Sequence, residues 1–214
     1  MKKIFLWIGK IVDSKAFCMV TLVIAFLMSV LCVTMINIFT ETVSYWGELY
    51  PTLFLIWGIF TSVGVFCNLK RLARKLNISN TLLDIAMIVG CFSVFISCIS
   101  GGGVDYSFMS ITHWTASFCF GVFCYLSALT IYIVATTKDK KNISLLSIVV
   151  AGALIDIIFC IKFGLMGISE LFVLSVVQVC VFLSNYVVKH EKKSVLDLDL
   201  IESVEQENIV EIEK

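Results

Sequence analysis

The sequence predicts an all-α fold, a polytopic bundle of six transmembrane helices with both termini cytoplasmic. Two observations point there. Six apolar segments, residues 16–39, 49–69, 81–100, 106–136, 144–165 and 168–188, are each about long enough to cross a ~30 Å hydrocarbon core as a helix. The turns between them also alternate in charge. Lys and Arg crowd the N-terminus (Lys2, Lys3, Lys10, Lys15), the second turn (Lys70, Arg71, Arg74, Lys75), the fourth (Lys138, Lys140, Lys141) and the segment after the last span (Lys189, Lys192, Lys193). The first, third and fifth turns carry Glu41, Glu48, Asp105 and Glu170 and no basic residue. The positive-inside rule then puts both chain ends in the cytoplasm.

A chain of 214 residues with 59% hydrophobic and 15% charged residues has little left for a soluble domain. The first span is too long, and too well matched to the other five, to be a removed signal peptide. A formal net charge of zero hides a split, because the tail from Lys189 onward holds eight acids against four Lys. Two regions follow: a six-span transmembrane domain over 1–188 and an acidic cytoplasmic tail over 189–214. The tail shows weak helical spacing at Leu196, Leu200 and Val204. It reads first as a solvated segment, and alternatively as a short helix for a cytoplasmic protein partner.

All nine cysteines fall inside the spans, with no CxxC and no Cys/His cluster at zinc spacing, so they read as small packing residues. No metal or cofactor is expected, and no nucleic-acid partner. A b-type haem would need two intramembrane histidines, but His190 follows the last span. The sequons at Asn77 and Asn142 lie on cytoplasmic turns, where no glycan is expected.

Helical spacing sorts three spans into small, weakly polar stripes. Span three carries Ala86, Gly90, Ser93, Ser97 and Ser100; span four carries Tyr106, Ser110, His113 and Ser117; span two carries Gly58, Thr61, Ser62 and Val65. Small residues let helices approach closely in lipid, so these are first of all packing seams.

Ionisable groups inside a bilayer are costly and usually face the bundle interior or a cavity. His113 and Asp156 both lie about 10–12 Å below the outer surface by helix rise, and consecutive antiparallel spans bring them to one depth. Lys162 stands near the outer end of span five, Glu170 opens span six, and Asp84 suits the N-terminus of span three. The sharper expectation is an outer-leaflet pocket lined by His113, Asp156, Glu170 and Lys162, with Ser110 or Ser117 nearby. The plainer one is a His113–Asp156 pair that fixes the packing of spans four and five.

With these residues in view, the chain resembles the DRAM/Frag/Sfk family of six-span membrane proteins. The first outer turn holds Ser44, Gly47 and Pro51 in an S-x-x-G-x-x-x-P pattern; Asn77 precedes span three; Ser110, His113 and Ala116 open span four; Glu170 opens span six. Thr52 stands where an acid often follows the proline, and Leu171-Phe172 replaces the aromatic that often follows the glutamate. The resemblance implies a protein tied to lipid organisation, lipid remodelling or autophagy, with no agreed catalytic mechanism, in the plasma membrane or in Golgi or lysosomal membranes.

The leading expectation is a non-enzymatic protein that interacts with membrane lipids. Ser44, Gly47 and Pro51 would form a lid, Ser44 would cap span two or bond to His113, and His113 and Glu170 would meet the head group. One alternative is a membrane-embedded acyl hydrolase or transferase using Ser110 or Ser117, His113 and Asp156, although no G-x-S-x-G elbow is present. Another is a small proton-coupled transporter, for which Asp84, Gln178 and Asn185 would supply the inner polar route. A cysteine peptidase is disfavoured, since Cys119 follows His113 by six residues and lies around the helix from it.

Overall fold

The computed structural model describes residues 14–100, 108–164 and 167–187. Lys2, Lys3, Lys10, Asp105, Tyr106 and the acidic tail at 189–214 lie outside the described residues. Among the described residues every regular element is helical, and six helices are long and apolar enough to cross a membrane.

Helix α1 (Lys15–Met35) starts where the Ser14 hydroxyl accepts the Phe17 N–H. It buries Cys18, Leu22, Ala25, Ser29 and Cys32, a stripe at three- and four-residue spacing. The span predicted to run to Phe39 stops at Met35. There Asn37 organises a turn, accepting the Phe39 N–H on its side chain, while the Glu41 carboxylate accepts the Asn37 N–H at 3.0 Å.

The first outer turn contains a short helix, α2 (Val43–Leu49). Thr42 caps it by accepting the Tyr45 N–H at 3.1 Å, and Trp46 is wholly buried with its ring edge-on to Phe54. Pro51 then opens α3 (Pro51–Lys75), where a missing N–H costs nothing. This helix runs six residues past the predicted end of its span, so Lys70, Arg71, Arg74 and Lys75 are helical. Its end is followed by Asn77 in the left-handed region at φ 50°, a conformation asparagine tolerates. The Lys138 ammonium donates to the Leu76 and Asn77 carbonyls there.

Helix α4 (Thr81–Ser100) matches its predicted span, and α5 (Phe108–Lys138) is the longest. A short 3₁₀ turn at Lys140–Asn142 leads into α6 (Ile143–Phe163). Helix α7 (Gly167–Phe182) continues as one π-helical turn over Leu183–Val187.

Close approaches set the packing. A Cβ on Gly64 of α3 would stand 3.0–3.1 Å from the Thr21 and Leu22 backbone of α1. A Cβ on Gly90 of α4 would stand 3.0 Å from the Cys124 backbone nitrogen of α5. These glycines bring α1 onto α3 and α4 onto α5, the two most extensive interfaces. By contrast, α5 and α6 are the most loosely packed of the consecutive long helices. At the end away from α2, Asn68 ties three elements together. Its amide donates to the Cys18 carbonyl of α1 at 2.6 Å, while its own carbonyls receive the Asn185 amide and Tyr186 hydroxyl.

Candidate functional site

At the α2 end the helices enclose a cavity of about 440 Å³. Its polar lining comes from five elements: Ser44 on α2, Ser97 on α4, His113 and Ser117 on α5, Asp156 on α6, and Ser169 and Glu170 on α7. The rest is apolar, with Phe54 and Trp57 from α3 stacked at 5.6 Å, and Val94, Phe120, Leu174 and Val177 around them. Phe118 on α5 and Ile157 on α6 line the cavity yet stay 71% and 53% exposed. The cavity therefore opens sideways between α5 and α6, where the packing is loosest.

His113 is 2% exposed and both ring nitrogens are engaged. Nδ1 lies 2.8 Å from the Ser97 carbonyl oxygen, which can only accept, so Nδ1 carries the proton. In the neutral ring Nε2 then accepts from the Ser44 hydroxyl at 2.5 Å. Ser97 Oγ also bonds to Ser117 Oγ at 2.6 Å, extending the network along the wall. Glu170 reaches across to α2, where its carboxylate accepts the Val43 N–H at 2.6 Å. The first helical turn of α2 is thus anchored to α7 through Glu170 and to α5 through Ser44.

The expected His113–Asp156 pair does not form. The small stripe of α4, with Gly90 at its centre, presses α4 against α5 and gives His113 to Ser97. Helix α6 stands off, and Asp156 faces the cavity from its own wall, with one carboxylate oxygen buried and without a hydrogen-bond partner. Lys162 does not join the site either. It follows Asp156 by six residues, about 120° around the helix, and it is exposed with its ammonium 5.1 Å from the Phe163 ring centre. Ser110 is buried, but it does not line the cavity.

Of the outer-turn residues, Ser44 bonds to His113 and does not cap α3. Gly47 sits directly against the Phe54 ring, where no side chain would fit, and Pro51 begins α3. The proposed inner route is largely occupied by local partners. Asp84 is ion-paired with Lys70 at 2.5 Å, and Asn185 donates to the Asn68 carbonyl at 2.9 Å. Gln178 is buried with neither side-chain amide atom partnered, and it does not line the cavity. Sequence reasoning missed Ser97 as a site residue, although it lay in the span-three stripe. Phe54, Trp57 and Ser169 gave no signal at all.

Ser44→Ala should release the hold of α5 on α2. Faster amide exchange is expected over residues 43–49, with global melting lowered by only about 1 kcal/mol equivalent, as one hydrogen bond allows. Unchanged exchange in that segment would show that Glu170 alone holds it.

Fold and site together define a bundle of helices, six of them among the described residues long and apolar enough to cross a membrane, around an amphipathic, laterally open cavity. Compared with family models, curated proteins and solved structures, the chain matches nothing.

Proposed function

We propose that the protein is an integral multi-pass membrane protein, a distant member of the DRAM/Frag/Sfk family, that holds a membrane lipid or similar amphiphile and influences its organisation or remodelling. The observation that carries this reading is the cavity, with hydroxyls, an imidazole and two carboxylates at one end, an aromatic and aliphatic body, and a side opening at Phe118 and Ile157. A polar head would sit among Ser44, His113, Asp156 and Glu170, and an acyl chain would leave between α5 and α6. Arg74, Lys75, Lys138, Lys140 and Lys141 cluster at helix ends away from α2, which supports an orientation with the α2 end outward and the termini cytoplasmic. The test is lipid retention. Protein purified in mild detergent, as wild type and as His113→Ala and Glu170→Gln, is analysed for bound lipid by mass spectrometry. A defined lipid enriched on wild type and depleted on both variants is expected. Only bulk lipid on all three would remove the reading.

The Ser44–His113 geometry favours a second reading, acyl transfer, with changed assignments. Ser44 would be the nucleophile, His113 Nε2 the base, and the Ser97 carbonyl the group that fixes the ring, in place of Ser110 or Ser117 and Asp156. A fluorophosphonate probe should then label Ser44 in wild type and not in His113→Ala. An unlabelled Ser44 would exclude this reading.

A further inference from the structure

We propose that the cavity selects an amphiphile bearing a positively charged nitrogen, held by Asp156 against the aromatic wall; this rests on the cavity being a ligand site. The polar lining is unequal in what it still lacks. Ser44, Ser97, Ser117 and His113 satisfy one another, and Glu170 has the Val43 N–H. Asp156 alone among the acids of the wall presents a buried oxygen with no partner. A carboxylate oxygen buried without a partner is stabilised by a compensating positive charge, because an uncompensated ion in low-dielectric surroundings is disfavoured. Among the described residues no Lys or Arg lines the cavity, and Lys162, the nearest in sequence, is exposed on another face of α6.

The remaining lining suits the same ligand. Trp57, Phe120 and Tyr125 line the cavity, and aromatic faces attract ammonium and quaternary ammonium groups when water is excluded. The Tyr125 hydroxyl donates to the Val149 carbonyl at 3.1 Å, so what Tyr125 has left to offer a ligand is its ring. A phosphate, sulfate or carboxylate head would instead meet Asp156 and Glu170 with no cation to offset them. The ligand class is therefore a long-chain amine or alkylammonium, whether drawn from bilayer lipid or free in the membrane.

Three photoreactive probes test this, each a diazirine-bearing alkyl chain of the same length ending in trimethylammonium, hydroxyl or sulfate. Crosslinking to the purified full chain is titrated and mapped to peptides of α5, α6 and α7. The trimethylammonium probe should label wild type at about tenfold lower concentration than the hydroxyl probe, and the sulfate probe least. Asp156→Asn should bring the cationic probe down to the hydroxyl level and leave the hydroxyl probe unchanged. Asp156→Glu, which keeps the charge, should retain the preference. Equal labelling by all three heads, or a preference that survives Asp156→Asn, would overturn the selectivity and leave the cavity reading standing. No labelling of cavity peptides by any probe would overturn both. Adding unlabelled bilayer lipids or unlabelled alkylammonium as competitors separates the two sources of the ligand.

Discussion

Gly64→Leu should lower the melting temperature by roughly 5–10 °C, the largest stability loss expected from a single substitution outside the cavity. The neighbours that a side chain at Gly64 would meet are the Thr21 and Leu22 backbone of α1 at 3.0–3.1 Å. Backbone cannot rotate away as a side chain can, so α1 and α3 must separate. Separation would also stretch the bond from Asn68 to the Cys18 carbonyl and the one from Trp57 Nε1 to Ser29 Oγ. A thiol-reactive fluorophore gives the measurement, since Cys18, Cys32, Cys67, Cys91, Cys124 and Cys180 are buried and become reactive on unfolding. A melting curve equal to wild type would mean that α1 is not packed on α3 in this way.

Gly121→Leu should do the opposite, keeping the fold and abolishing retention of ligand. Gly121 lies in the middle of α5 and lines the cavity, and a Cβ there meets nothing within 4 Å. Leucine is the better helix former by about 1 kcal/mol, so melting should hold or rise. Its side chain would project into the space the ligand needs. This variant removes no polar group, so lost retention could not be blamed on a disturbed hydrogen-bond network. Lipid still enriched on Gly121→Leu would show that the bound molecule sits elsewhere on the bundle.

Hydropathy made the six long helices legible, because each span is apolar over most of its length, and all six fell within about two residues of the predicted bounds at one end at least. It could not reveal α2. Seven residues with Gly47 among them look like a turn, and the helix exists because Thr42 and Glu170 satisfy its first N–H groups and Trp46 is buried. Counting residues also gave depth without direction. His113 and Asp156 do line one cavity, but the face of His113 was decided by how closely α4 approaches, which depends on Gly90 meeting α5. Lys162 failed for the related reason that nearness in sequence along a helix says nothing about facing the same way. Ser97 was visible as a member of a small-residue stripe, yet its contribution to His113 is chiefly a backbone carbonyl, which no side-chain pattern encodes.

The clasp at the α2 end also has a meaning for biosynthesis. Glu41 and Ile38 accept the N–H groups of Gly167 and Ile168, and Glu170 accepts that of Val43 across 127 residues of chain. Ribosomes add about 5–20 residues per second, so α2 waits roughly 6–25 s for α7 to be made. By the end of that interval five long helices are present, but the cavity lacks Ser169 and Glu170, and the turn after α1 is held only through Ser44 and His113. Of the described helices the last to be synthesised is the one that completes the site, so a nascent or truncated chain ending before Gly167 exposes an unfinished, acid-bearing cleft to whatever assembly or quality-control factors read such surfaces.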